Sequence, residues 1–259
     1  MESKTALAIS IIVVIVIIAG IAAYYSTHKG KGAKEYLVVG TSPDFPPFEY
    51  VDENGNIVGF DIDLIRLVAQ KAGFKDIKIV SMDFDALIPA LQQGKIDVIA
   101  AGMTITPERE KVVDFTIPYW EVDQAVIVSK TSSFKPTKLE DLAGKTVGVE
   151  TGTTAASYLK DYVKKHNVDI KIKEYSSYVL AVQDLVNGRI DAVMLDVPVA
   201  KMFAKKYPVE IAFVVKTGEK YGFAVKKGNK ELLDKLNKAL QEVMNSPEWE
   251  KLVEKYFGS

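Results

Sequence analysis

Leu91-Gln92-Gln93-Gly94-Lys95-Ile96-Asp97-Val98-Ile99 and Leu185-Val186-Asn187-Gly188-Arg189-Ile190-Asp191-Ala192-Val193 are two versions of one phrase, starting 94 residues apart. Each reads as the end of a helix, a glycine stop, a basic residue, and Ile-Asp opening a strand. Helix-stop chemistry alone would write the same words, so the phrase needs a second observation. Leu37–Gly40 and Thr146–Val149 supply it, because each is a short buried-strand pattern that runs into a polar loop ahead of its copy of the phrase. Two similar lobes in one chain explain both repeats.

Working outward, strand-like and helical runs alternate from Tyr36 onward, which predicts an α/β fold. Asp52-Glu53-Asn54-Gly55-Asn56 is a turn, and Asp61 to Ala72 carries apolar residues at helical spacing up to Gly73. A strand-like Tyr221–Val225 precedes a helical stretch from Glu231 to Phe257, with Leu232, Leu233, Leu236, Leu240 and Val243 on one face. A chain that builds one lobe, crosses to the second and returns needs two connections. Tyr119–Asp123 and Lys216–Tyr221 are expected to be those paired hinge strands.

The first 35 residues read differently. Ala6 to Tyr25 is apolar apart from Ser10, a run of about 20 residues that matches the length of a membrane-spanning helix. A cleaved signal segment is the alternative, since Ala19, Gly20, Ala22 and Ala23 supply small residues near its end. Lys29, Lys31 and Lys34 follow the run, against the usual charge bias for an outward-facing C-terminus. The glycine- and lysine-rich stretch from His28 to Ala33 reads as a tether.

Composition excludes several classes. The 259 residues carry 33 Lys+Arg and 34 Asp+Glu, and setting aside the four lysines and two glutamates of residues 1–35 leaves a formal charge of −3. No basic field exists for a nucleic acid. Without cysteine there is no disulfide, thiolate nucleophile or cysteine metal site. The only histidines, His28 and His166, lie in the tether and near a helix end, so neither suits a general base, and no metal-ligand spacing occurs.

Three loops carry binding chemistry. In Gly102-Met103-Thr104-Ile105-Thr106-Pro107-Glu108-Arg109, Thr106 is a good N-cap and Pro107 a good first helical residue. Arg109 then falls in the first turn, where the helix dipole disfavours a cation. A bidentate grip on a carboxylate would explain it, and a surface pair with Glu110 or Asp114 is the plainer reading. Glu150-Thr151-Gly152-Thr153-Thr154 opens a helix and offers N–H groups and hydroxyls to an anion, or simply a threonine cap. Asp196 ends the strand Ile190–Leu195, where ligands sit in open α/β sheets; its carboxylate suits an ammonium group or caps the next helix.

Together, Gly40–Glu49, Gly59–Leu64, Asp83–Leu91 and Gly102–Arg109 resemble the polar amino-acid family of periplasmic solute-binding proteins, the receptors of ABC importers, and the resemblance spans residues 36–259. It implies a two-lobed Venus-flytrap fold with lobe 1 at 36–120 and 222–259 and lobe 2 at 124–216. It implies that Arg109 with the Thr153/Thr154 loop binds an α-carboxylate, while the Gly102 carbonyl, Thr104 and Asp196 bind an α-ammonium. Phe45 and Phe84 would sandwich the ligand side chain, with Ser42, Asp61 and Glu150 tuning specificity at the far end. Relatives for basic ligands or glutamine often have Asp where this chain has Ser42, which leaves Asp61 and Glu150 as the acidic candidates. The expected ligand is a basic amino acid, arginine before lysine, with glutamine next. A monomeric, extracytoplasmic receptor serving a permease, without metal or cofactor, is the resulting expectation. Two other readings are a dehydratase on the same fold and a signalling sensor, which Asp196 and the end of the chain at Ser259 respectively disfavour.

Overall fold

The structure, a computed structural model, describes residues 35–258. The apolar run Ala6–Tyr25 and the tether lie outside the described residues. No helix among the described residues is long and apolar enough to cross a membrane.

The chain opens with β1 (Tyr36–Thr41), a small meander of β2 (Asp44–Phe45), β3 (Glu49–Val51) and β4 (Ile57–Val58), then α1 (Phe60–Lys71) and β5 (Asp76–Ser81). It continues through α2 (Leu87–Gln92), β6 (Val98–Ile99), the single turn α3 (Pro107–Glu110) and β7 (Val113–Phe115). The long strand β8 (Trp120–Ser129) leads to β9 (Thr146–Glu150), α4 (Thr154–His166), β10 (Lys171–Tyr175), α5 (Tyr178–Val186), β11 (Ala192–Asp196) and α6 (Val197–Lys206). The second long strand, β12 (Val209–Tyr221), returns to β13 (Ala224–Lys226), α7 (Lys230–Met244) and α8 (Pro247–Phe257).

These strands form two five-stranded sheets, ordered β5-β1-β6-β13-β7 and β10-β9-β11-β8-β12. In each, three neighbouring strands are parallel, β5-β1-β6 and β10-β9-β11, and the two strands that complete the sheet pair antiparallel. The internal repeat has a physical basis beyond stopping a helix. Asp97 accepts the Val38 N–H on its carboxylate at 3.0 Å while its own N–H donates to the Val38 carbonyl at 2.8 Å. Asp191 does the same to Thr146, at 2.8 and 2.9 Å. One aspartate thus clasps the neighbouring parallel strand in each sheet, and the preceding Gly94 and Gly188 turn the chain at φ +73° and +69°, a region open to glycine. Because the aspartates are spent on this clasp, the strands begin at Val98 and Ala192, two residues after the isoleucine that the Ile-Asp pattern predicts as the start.

The expected helix over Glu231–Phe257 is two helices. Pro247 has no N–H to continue α7 and starts α8 at its first position, after Ser246.

β8 and β12 pair antiparallel, and Trp120, Glu121 and Val122 lie opposite Tyr221, Lys220 and Glu219. This covers the predicted hinge segments. β12 also bonds to the loop after β6, where Ile105 N–H donates to Lys220 O, and Tyr119 N–H donates to Tyr221 O at the end of the β8–β12 ladder. Between Val215 and Glu219 the register slips into a bulge, and Asp123 staples it by accepting the Thr217 and Gly218 N–H groups at 2.9 and 3.0 Å. An aromatic cluster anchors the junction: Trp120 stacks on Phe257 at 4.2 Å between ring centres, and Tyr119 on Phe223 at 4.6 Å. Burying such rings contributes about 2 kcal/mol each.

Candidate functional site

Between the strand ends of the two sheets lies a cleft with about 310 Å³ of space between its atoms, part of it open to solvent. Ser42, Phe45, Phe84, Gly102, Thr104, Arg109, Glu150, Thr153, Thr154 and Asp196 all line it, together with Asp44, Glu49 and Ala101.

Arg109 is held from both sides. Thr106 caps the turn by accepting the Arg109 N–H at 3.2 Å. The guanidinium donates from Nη1 to the Thr104 carbonyl at 2.7 Å and from Nη2 to the Gly152 carbonyl at 3.0 Å, and it lies 5.3 Å from the centre of the Phe84 ring. Burial pulls its pKa down to about 10 while the charges of Glu219 and Asp196 push it back up, so it remains a cation at neutral pH. The surface pairs with Glu110 or Asp114 are not formed; Asp114 binds Lys227 and the Gly228 N–H instead.

Asp196 stands at the N-cap of α6, yet its carboxylate makes no capping bond. It turns into the cleft, where Oδ1 accepts Gln124 Nε2–H at 2.7 Å. Burial first, and then the charge of Glu219, raise its pKa well above the carboxylate range. A counter-cation in the cleft would relieve that cost.

Thr153 is a cap. Its hydroxyl donates to the Glu150 carbonyl at 2.7 Å and accepts the Ala156 N–H at 3.2 Å. The Thr154 hydroxyl donates to Glu219 at 2.6 Å. Neither hydroxyl proton is left for a ligand carboxylate; what remains are first-turn N–H groups of α4, which no helical carbonyl can satisfy.

Asp61 departs from expectation. It is fully buried and does not line the cleft; Oδ2 accepts the Gly102 N–H at 2.8 Å and the Tyr119 hydroxyl at 2.6 Å. The reason is local: α1 starts at Phe60, which sets Asp61 on its buried face. Asp61 therefore shapes the loop from beneath. At Gly102, with φ +49°, a Cβ would come within 2.8 Å of the Phe45 ring, so glycine is what lets the loop approach. Desolvation lifts Asp61 to a pKa of about 7 against the opposing hydrogen bonds. A raised acid favours the protonated fold, so its contribution is full below about pH 4 and is lost as pH rises through 7. Asp61→Asn removes this titration. The wild-type melting temperature is expected to fall by several degrees more than the variant's between pH 5 and pH 8, measured by calorimetry, and parallel curves would show that Asp61 does not titrate there.

The cleft's other carboxylates were not all legible in sequence. Glu49, on β3, is 1% exposed, and neither carboxylate oxygen has a partner among the described residues. Glu150 is 2% exposed with Oε1 unpartnered. Burial first, and then the charges of Asp61 and Asp44, raise Glu49 well above the ordinary range; burial and the charges of Asp44 and Asp83 do the same to Glu150, and burial lifts Asp44 to about 6. Asp44 sits two residues past Ser42, whose hydroxyl donates to it at 3.3 Å, and it also accepts the Tyr178 N–H at 2.6 Å. The acid missing at Ser42 is thus replaced nearby. A glutamate between Phe48 and Tyr50 in an inward-facing strand position was the available signal for Glu49. Among the described residues no cluster of potential metal ligands occurs. His166 stacks on Tyr162 near the end of α4 and does not line the cleft.

Two α/β sheets joined by paired strands, with an enclosed polar cleft between them, define the architecture of a solute-binding protein. Residues 37–259 match the family model of bacterial extracellular solute-binding proteins, family 3, and the chain belongs to that family. It is 38% identical over 234 residues to the ABC transporter arginine-binding protein 1 of Escherichia coli (strain K12), covering 88% of this chain and 93% of that protein. An ancestral arginine-binding protein solved with arginine superposes with a TM-score of 0.82 at 47% identity, covering 87% of this chain and 99% of that one. The same score, at 46% identity and covering 88% and 100%, holds for an ancestral arginine-binding protein bound to glutamine.

Proposed function

We propose that this chain is the extracytoplasmic receptor of an ABC-type amino-acid importer and that its cleft takes a basic amino acid, arginine first. Glu49 carries the reading. A buried carboxylate without a protein partner is costly, and a guanidinium or ammonium group would satisfy it. Glu150 and Asp44 line the same cleft and add to its negative charge. At the other end, Arg109 offers its remaining N–H groups to a carboxylate, and Asp196 offers its charge to an ammonium. This pairing of an acid for the ammonium with a cation for the carboxylate suits a receptor better than the dehydratase alternative.

Glutamine is the second reading, favoured by the raised pKa of Glu49 and Glu150: a protonated acid can face an amide without a cation.

The lobes are assigned to 36–120 with 222–259 and to 124–216, turning about the β8–β12 junction. Ligand contacts come from both lobes, so a ligand that binds the closed form better shifts the receptor toward it, and a permease can tell that form from the open one. Membership of an extracellular solute-binding family supports a place outside the cytoplasm, with residues 1–35 read as membrane anchor or signal plus tether.

Calorimetric titration of the full-length chain against the amino acids, with small-angle scattering on the same samples, tests this. Arginine is expected to bind most tightly and to shrink the radius of gyration. Tighter binding of a neutral ligand overturns the basic-ligand reading, and an unchanged radius with binding confirmed overturns closure.

A further inference from the structure

Glu219 stands on β12 just beyond the bulge stapled by Asp123, where the two sheets are joined. Its Oε2 accepts the Thr104 hydroxyl at 2.9 Å and the Thr154 hydroxyl at 2.6 Å, and its Oε1 accepts Gln124 Nε2–H at 3.2 Å. Thr104 belongs to the loop after β6 in the first sheet, and Thr154 opens α4 beside the second. One carboxylate therefore takes a hydroxyl proton from each wall of the cleft.

That arrangement has a chemical sense. A hydroxyl owns one proton and two acceptor lone pairs, and a carboxylate can only accept. With both protons directed at Glu219, Thr104 and Thr154 can show the cleft nothing but lone pairs. Lone pairs attract N–H donors and repel a carboxylate. Gln124 extends the same polarity, because the amide nitrogen that donates to Glu219 also donates to Asp196 Oδ1. The Asp196 carboxylate is thereby aimed beside the two threonines, all three on the lining of one cleft.

We propose that Glu219 is a positioning residue that sets the donor–acceptor sense of the cleft, turning Thr104 and Thr154 into acceptors and fixing Asp196 through Gln124, so that the closed receptor selects ligands bearing an α-ammonium group. The proposal rests on the amino-acid reading of the cleft. It assigns Thr154's hydroxyl to the ammonium end, leaving the carboxylate to Arg109 and to backbone N–H groups.

In Glu219→Gln the amide nitrogen becomes a donor, so at least one threonine must turn its proton elsewhere. The test compares arginine with its des-amino analogue, a guanidinium on a plain carboxylic acid of the same length, by titration of the full-length wild type, Glu219→Gln and Thr154→Val. Wild type is expected to prefer arginine. Glu219→Gln is expected to weaken arginine by about tenfold or more and the analogue by less than about threefold, narrowing the preference. Thr154→Val, which keeps the shape and loses the lone pairs, is expected to narrow it in the same direction, and it carries the test if Glu219→Gln does not fold. Equal losses for both ligands would show that Glu219 only ties the walls together, and an unchanged preference would remove it from recognition; either overturns the proposal. A wild type that ignores arginine and takes glutamine overturns the ligand reading alone, and the same ratio is then read with glutamine and its des-amino counterpart.

Discussion

Glu49→Gln is expected to lower arginine affinity on the order of a hundredfold while changing glutamine affinity by less than about threefold. The substitution keeps the volume and removes the charge. Losing one partner of a buried, desolvated ion pair costs roughly 3–5 kcal/mol, and about 1.4 kcal/mol is a factor of ten. The loss is held toward the lower end because Glu49 is raised well above the carboxylate range by burial and by Asp61, Asp44 and Glu150. Part of its charge must be created when the cation arrives, and that work offsets some of the attraction. The same coupling makes arginine binding release protons and strengthen as pH rises through the raised titration of Glu49. Calorimetry with both ligands at two pH values reads all of this. Equal losses for arginine and glutamine would mean that Glu49 shapes the cleft without reading charge.

Arg109→Lys should behave in the opposite way, weakening arginine and glutamine alike by roughly 2–4 kcal/mol, or thirtyfold to a thousandfold. The guanidinium performs three tasks at once: it holds the Thr104 carbonyl, reaches across to the Gly152 carbonyl and lies on Phe84. Its fork still has N–H groups to present to a carboxylate. An ammonium has three donors on a single atom and cannot span two carbonyls and a carboxylate in that geometry. Because the carboxylate is common to all α-amino acids, the loss should not depend on the side chain. Near-unchanged affinity on titration would remove Arg109 from the site. A loss confined to one ligand would place it at the side-chain end.

The contrast between these two residues follows how each is encoded. Arg109 was visible because its oddity is local: a cation in a first helical turn, after Thr106 and Pro107, violates a rule that neighbouring residues define. Asp97 and Asp191 were visible as a repeat for the same reason, although their task of clasping a parallel strand appears only when Val38 and Thr146 are brought alongside. Glu49 was quoted within a motif, and nothing in its neighbours says that no partner will meet it.

For other residues the fold decided what neighbouring residues left open, by equally physical causes. Asp61 reads as an available acid at a helix start, but the fold turned it inward to Gly102 and Tyr119. Thr153 reads as either cap or ligand donor, and the geometry made it a cap. Asp196 offered the same choice and was turned away from capping.

The amino-acid sequence by itself determined the α/β alternation, the doubled architecture, the paired connecting segments and most of the cleft's lining, because these rest on periodicity, turn chemistry and caps written within a few residues. Only the tertiary structure decided which way each polar group faces. Glu219 meets Thr104 across 115 residues, Gln124 across 95 and Thr154 across 65. A hydrogen bond's direction depends on the partner that long-range packing delivers, and that partner leaves no mark on the local pattern.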